Sequence, residues 1–316
     1  MITIYYKNGE RITKTNDIGQ LVNIQPAQLL WIDLLEPSDE EKSRVAQLYK
    51  VDFQTDSQIE EIENSSRFLE TDDFIIGNSN FLILDNDQYV GEPVSFILKD
   101  NYLISFRFSE LKTFTEVVRK IETTSRLFPS GYHILVSIFE IRVDLDADLL
   151  EAIAKDITKI TSTISVDRNL QEEQLINISQ FQDTTMLIRE NIVDKQRVIS
   201  AMLKSEYFPQ ECNQRLRIII KDINSLIDHT TFSFERLEYL QNTFLGLLNI
   251  EQNKIIKIFT IASVIFMPPT LIASLYGMNF KFMPELEMEL GYPFAILLML
   301  LSVAITLIVF KTKKWL

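Results

Sequence analysis

Two stretches near the end of the chain, residues 258–280 and 290–310, contain no charged side chain. Each is long enough to cross a hydrocarbon core about 30 Å thick, which takes roughly 20 apolar helical residues. Buried core helices rarely need so many uncharged positions in a row, so the pattern predicts two membrane spans. Lys254 and Lys257 precede the first stretch, and Lys311, Lys313 and Lys314 follow the second. The segment between them sets a single Lys281 against Glu285, Glu287 and Glu289. By the positive-inside rule both termini face the cytosol and the acidic segment faces outward.

Charge separates the chain into two populations. The net charge is −13, yet residues 258–316 carry +1, which leaves −14 on residues 1–257. So acidic a front portion argues against a nucleic-acid partner, which requires a basic face. Residues 1–16 lack the continuous apolar stretch and small-residue cleavage site of a signal peptide, so this portion is expected in the cytosol. Cys212 is the lone cysteine, and no intramolecular disulfide is possible.

Residues 1–140 read as an α/β domain. Runs at Ile2–Tyr6, Leu29–Leu34, Phe74–Leu84, Ser95–Leu98 and Tyr102–Phe108 have strand character. Tyr132–Glu140 fits either a strand or the start of a helix. Ser38 and Glu41 have the spacing of a capping box at a helix start. No proline or glycine occurs from residue 132 to 208, and Leu149, Ile153, Ile157 and Ile160 recur at helical intervals. A helical hairpin is therefore expected over 141–208. After Phe208-Pro209 one helix is expected over 210–276, with its membrane part at about 256–276; at 1.5 Å per residue it would be about 100 Å long. An external loop over 277–290, a second span over 291–311 and a basic tail over 312–316 complete the expected order.

Within the first span the hydroxyl residues before Tyr276 are Thr260, Ser263, Thr270 and Ser274. All four fall on one three-four stripe: Asn253, Ile256, Thr260, Ser263, Met267, Thr270, Ser274. Small and hydroxyl residues also serve tight helix packing in membranes. Extended backward, however, the stripe reads Asn249, Gly246, Asn242, Tyr239, Glu235, Phe232, Asp228, too polar for a seam that only holds helices together. A water-filled conduit explains it, with Ile256 and Met267 as apolar constrictions able to gate by dewetting. Two helices enclose no lumen, so a conduit requires several identical subunits in a ring. Pro268-Pro269 removes two N–H donors and frees carbonyls near Val264 and Ile265.

The first span ends in Tyr276-Gly277-Met278-Asn279, where glycine suits a left-handed helix cap. Together with Asn249-Ile250-Glu251-Gln252-Asn253, Met283-Pro284-Glu285-Leu286, Gly291-Tyr292-Pro293 and Lys313-Lys314-Trp315-Leu316, this sequence resembles the CorA family of magnesium and cobalt transporters. Upstream, Trp31-Ile32-Asp33-Leu34 with Glu36-Pro37, and Glu61-Ile62-Glu63 with Ser66-Arg67-Phe68, resemble the family's cytosolic domain.

The resemblance implies a funnel-shaped homopentamer in the cell inner membrane that passes hydrated Mg²⁺ and Co²⁺, with Ni²⁺ as a further candidate. It implies a pore mouth of Gly277, Met278 and Asn279, with a ring of Asn279 at the outer end. A carboxamide oxygen can accept hydrogen bonds from the water that Mg²⁺ sheds reluctantly, without gripping the ion. Glu285, Glu287 and Glu289 either concentrate cations there or form a solvated loop face. The family also uses Mg²⁺ as a regulatory ligand between cytosolic domains, with Asp72, Asp73, Asp222 and Asp228 as candidates here. The stretch from Asp228-His229 to Asn253 is shorter than the family's best-known pattern.

A zinc transporter of the same superfamily is the nearest alternative. Only His133 and His229 and one cysteine are present, and they form no HxxxH or CxxC cluster. A membrane-anchored coiled-coil scaffold would want a Leu- and Ile-filled seam. An enzyme is not expected: no GxSxG, HExxH or Walker A motif occurs, and no catalytic cofactor is implied.

Overall fold

The computed structural model describes residues 1–9, 11–53, 67–86, 88–166 and 172–313, the side chains of 163–166 and 172 excepted. Glu61-Ile62-Glu63, Ser66 and Lys314-Trp315-Leu316 lie outside the described residues. The chain forms two compact units, Met1–Gln241 and Asn242–Leu316.

The first unit is built on a seven-stranded sheet. Its strands are β1 (Ile2–Asn8), β2 (Arg11–Thr15), β3 (Leu29–Leu35), β4 (Phe68–Glu70), β5 (Ile75–Asp85), β6 (Gln88–Lys99) and β7 (Tyr102–Arg107), in the order β2-β1-β3-β7-β6-β5-β4. Only β3 and β7 pair in parallel. These two central strands are buried on both faces, as parallel neighbours usually are.

Side-chain alternation divides their residues between two layers. Ile32, Leu34, Ile104 and Phe106 join Val45 of α1 (Asp39–Tyr49) in one apolar cluster. On the other face, Trp31 stacks on Tyr5 at 4.7 Å. Beside it, Phe81 and Phe96 meet Phe114 of α2 (Lys112–Thr123) and Phe139 of α3 (Gly131–Val166) at 5.6–6.5 Å. Helix α1 starts at the expected capping box: Ser38 Oγ accepts from the Glu41 N–H, and Glu41 accepts from the Ser38 N–H.

Segment Tyr132–Glu140 is helical. Helix α3 begins at Gly131, ahead of the expected boundary at residue 141, with the Gly131 N–H bonded to the Asn101 carbonyl at 2.6 Å. Residues 131–139 are all buried, so the first turns of α3 are covered on every side. The later stripe of α3 holds as expected, with Ile153 and Ile157 buried and Leu149 and Ile160 half-buried. Strands β2 and β4 were not expected: each is short and at a sheet edge, where no buried face imposes alternation.

Helix α4 (Glu172–Lys204) runs antiparallel to the first part of α5 (Gln210–Tyr276). Arg189 donates to Thr231 Oγ1 at 2.7 Å, Gln196 to Asn224 at 2.6 Å and Gln182 to Gln241 at 3.4 Å. The 67 residues of α5 form one helix through Pro268 and Pro269, as its lack of earlier breakers predicts. The second unit holds the end of α5, a single 3₁₀ turn at Pro284–Leu286 and α6 (Gly291–Thr312). Helices α5 and α6 are both long and apolar enough to cross a membrane.

Candidate functional site

Every residue of the polar stripe on α5 is exposed, from Asp228 through Asn253 to Ser274. Large side chains share this exposure: Phe232 is 63%, Tyr239 67% and Met267 66% accessible. The covered residues of α5 lie elsewhere. In the first unit they include Cys212, Leu216, Ile219, Ile223, Thr230, Ser233, Leu237 and Leu240. In the second unit Ile261, Ile265, Pro268, Pro269, Ile272 and Tyr276 are half-buried. At about 100° per residue, both covered stripes fall on the side of the helix opposite the polar stripe. The polar face is thus not spent on packing within the chain.

Helix α6 has one shielded stripe of its own, with Ala295 and Phe310 buried and Ser302 and Thr306 half-buried. Ser302 and Thr306 turn their hydroxyls back to the carbonyls of Met299 and Ser302, at 2.7 and 2.9 Å. Thr270 does likewise on the polar stripe of α5, donating to the Phe266 carbonyl at 2.7 Å. Its hydroxyl oxygen keeps accepting capacity toward water.

Helix α5 ends at Tyr276 on a different cap from the expected one. Gly277 does not adopt a left-handed φ. Its N–H continues the helical pattern to the Ala273 carbonyl at 2.9 Å, and Met278 follows with a bond to Leu275 at 3.4 Å. A Cβ on Gly277 would lie 3.1 Å from the Ala273 oxygen, so small size rather than positive φ suits glycine here. Asn279 is exposed beyond the helix end, as are Glu285, Glu287 and Glu289. The segment then folds back on α6: a Cβ on Gly291 would lie 2.1 Å from the Glu285 carbonyl oxygen, which only glycine permits.

The four candidate regulatory carboxylates are exposed and dispersed within one chain. Asp72 and Asp73 sit on the β4–β5 turn, which Thr71 closes through hydrogen bonds with Phe74. Asp222 and Asp228 stand on α5. Among the described residues no three Asp, Glu, His or Cys side chains come together as a metal-binding group. His229 is exposed on α5.

Buried ion pairs are the feature that sequence reasoning missed. Asp33 accepts from Arg107 at 2.8 and 3.2 Å and from Ser105 at 2.7 Å, while Ser105 in turn accepts from Trp31 at 2.9 Å. Between α3 and α4, Asp146 takes Arg142 at 2.5 Å and Lys195 at 3.1 Å, with both Asp146 and Lys195 fully buried. Lys195 also donates to Asn191. Burial pushes the Lys195 ammonium down to about 8, against the opposing pull of Asp146. The available signal was a charged residue inside an otherwise apolar strand, and an Arg–Asp pair four apart on a mostly apolar helix.

The arrangement is two apolar helices of membrane-spanning length, the first of which carries an uncovered polar face and begins in the acidic first unit. The family model of CorA-like Mg²⁺ transporter proteins matches residues 26–313. The chain belongs to the CorA family. It is 43% identical to the magnesium transport protein CorA of Wolinella succinogenes, covering 92% of both chains. It is 37% identical to that of Campylobacter jejuni (strain RM1221) over the whole of both. Among solved structures, the complete CorA magnesium transporter from Methanocaldococcus jannaschii superposes with a TM-score of 0.85 at 21% identity, covering 100% of this chain and 99% of that one. The fold is therefore the CorA fold, and the chain is a membrane protein of a transporter family, not an enzyme in the usual sense.

Proposed function

We propose that the chain assembles as a homopentameric channel in the cell inner membrane, with both termini cytoplasmic, and conducts Mg²⁺ inward. Co²⁺ and Ni²⁺ are further permeant ions on this reading. The α5 face from Asn253 to Ser274 lines the pore, and Gly277, Met278 and Asn279 form its outer mouth. The observation that carries the reading is the exposed polar stripe on α5, opposite the face that the chain itself covers. A ring of such faces encloses water, and an ion that keeps its hydration shell needs no dedicated protein cage. The relatives' names supply Mg²⁺ as the ion.

Nothing in the proposed cycle needs a nucleotide. A divalent ion gains about 4.6 kcal/mol per 100 mV, twice the single-charge value of about 2.3 kcal/mol. Cytosolic Mg²⁺, held by Asp72, Asp73, Asp222 and Asp228 between neighbouring subunits, closes the channel when plentiful. The test is dye-reported uptake into liposomes carrying wild type or Asn279→Ala, with oligomeric state checked by native mass spectrometry. Wild type should take up Mg²⁺, and the variant should assemble but lose uptake. Wild-type flux through the variant would remove Asn279 from the pathway. Zn²⁺ uptake outpacing Mg²⁺ would overturn the choice of metal.

A further inference from the structure

A cleft of ≈ 490 Å³ opens in the first unit between the end of α2, residues 124–129 and the first turns of α3 and α5. At its wall stands His133, only 7% accessible. Its Nδ1 is 2.9 Å from the Ser130 hydroxyl. Its Nε2 is buried and, among the described residues, has no hydrogen-bond partner; Glu211 Oε2 stands 3.6 Å away, within ion-pair range but beyond hydrogen-bond distance. Leaving a buried ring nitrogen unpaired is unfavourable, and a bound acceptor would relieve that loss.

Glu211 is the carboxylate beside this nitrogen, but across the lining cations outnumber carboxylates: Lys120, Arg126 and Arg215 against Glu140 and Glu211. Arg215 reaches Glu140 through two bonds of 2.7 and 2.6 Å, and also donates to Ser137 at 2.7 Å, so Glu140 is already engaged. Lys120 and Arg126 line the same cleft. Lys7 lies behind the wall, with its ammonium on the Pro129 carbonyl at 2.8 Å. Against these cations Glu211 is the remaining carboxylate of the lining, and its side chain is 85% exposed and able to swing aside. A cationic recess with an unsatisfied buried nitrogen contrasts with a chain of net charge −13. Opposite charge and donor direction select an anion, and one with several acceptor oxygens can meet the buried donor and the rim cations together through charge-assisted bonds.

We propose that this cleft binds a small soluble anion of the phosphate class, with His133 Nε2–H as the buried donor and Lys120 and Arg126 as the charged rim. With the Ser130 hydroxyl donating to Nδ1, the neutral ring presents Nε2–H to the cleft. Glu211 competes with the anion for that proton and is displaced when it binds. The cleft includes the first turns of α5, so an occupied site ties that helix to α2 and α3.

The experiment is calorimetric titration of the full chain in zwitterionic nanodiscs with inorganic pyrophosphate, and separately with inorganic phosphate, at fixed ionic strength. Saturable binding is expected. Lys120→Gln, at an exposed position, should weaken it on the order of tenfold. Glu211→Gln should strengthen it by removing the competing carboxylate. His133→Gln should weaken it; should that variant fail to fold, the Lys120 and Glu211 pair still decides. Absence of saturable binding, or equal affinity in wild type and both exposed variants, would overturn the proposal. A second arm replaces part of the lipid with phosphatidylglycerol. A thermal shift there, with none from pyrophosphate, would assign the cleft to a lipid headgroup and reject the soluble ligand.

Discussion

Asp33 lies on a strand covered on both faces, where an isolated carboxylate would be expensive to hold charged. Arg107, Ser105 and the Trp31 indole behind them convert that cost into a closed network. Removing one partner of a buried pair typically costs about 3–5 kcal/mol, because the other charge stays behind. Arg107→Met should therefore lower the melting temperature of the detergent-solubilised protein strongly. Asp33→Leu combined with Arg107→Met should recover part of that loss, because neither charge is then stranded. If the double variant melts below the single one, the network does more than neutralise a pair. His133 makes a pH prediction at the same scale. Burial, supported by Arg215 and Lys7 and opposed by Glu211, holds its pKa below the ordinary 6.5. The unfolded chain then takes up this proton first as pH falls, so stability is lost as pH drops below about 6.5. His133→Gln should flatten that part of the melting-temperature profile between about pH 7.5 and 5.5; an unchanged slope would assign the acid loss to other groups.

At the scale of elements, α5 has one face that its own chain covers and one that it leaves exposed. In the first unit the covered face is that of Ile223, Thr230, Ser233, Leu237 and Leu240; Arg189–Thr231 and Gln196–Asn224 join α4 to the flank of the helix, and the exposed stripe remains available to copies of the chain. That division was legible in the sequence because a helix of 67 residues repeats its period many times. The sheet was legible where strands are long or buried. Short edge strands β2 and β4 were not, because three to five residues carry too little pattern. Tyr132–Glu140 was ambiguous because an apolar run buried all round has no face to reveal its period. Gly277 shows a further limit: the sequence located a helix end, but the choice between positive φ and close approach belongs to the local backbone. The stripe itself is testable. Ser263→Leu and Thr270→Leu each place an apolar side chain on the proposed lumen, where dewetting opposes conduction. Each should reduce Mg²⁺ flux tenfold or more with assembly intact, while Phe266→Leu, exposed but off the stripe, should leave it near wild type. Equal losses in all three would point to general damage of the hairpin instead.

For the whole molecule, the distribution of charge matters more than any single site. Residues 1–257 carry −14, and five copies around one axis would repel wherever their acidic faces meet. Asp72, Asp73, Asp222 and Asp228 are exposed and form no three-residue cluster among the described residues, so a Mg²⁺ site that draws on three or more such carboxylates would need a neighbour. Moving a closed–open equilibrium from 1:99 to 99:1 takes about 5.5 kcal/mol in total. Shared among five equivalent sites that is about 1.1 kcal/mol each, or a roughly sixfold preference of Mg²⁺ for the closed ring. Weak sites therefore suffice, provided they act together, and weak sites leave little trace in one chain's geometry. Replacing all four aspartates with asparagine keeps size and polarity but removes the charge that Mg²⁺ would neutralise under the proposed regulation. In the wild type, raising internal Mg²⁺ should slow influx and protect the cytosolic part from trypsin. The fourfold variant should keep conducting at high internal Mg²⁺ and gain no protection from it. Full inhibition of the variant at wild-type Mg²⁺ levels would mean that the ligands lie elsewhere. Loss of flux at low Mg²⁺ would tie the same carboxylates to conduction instead of closure.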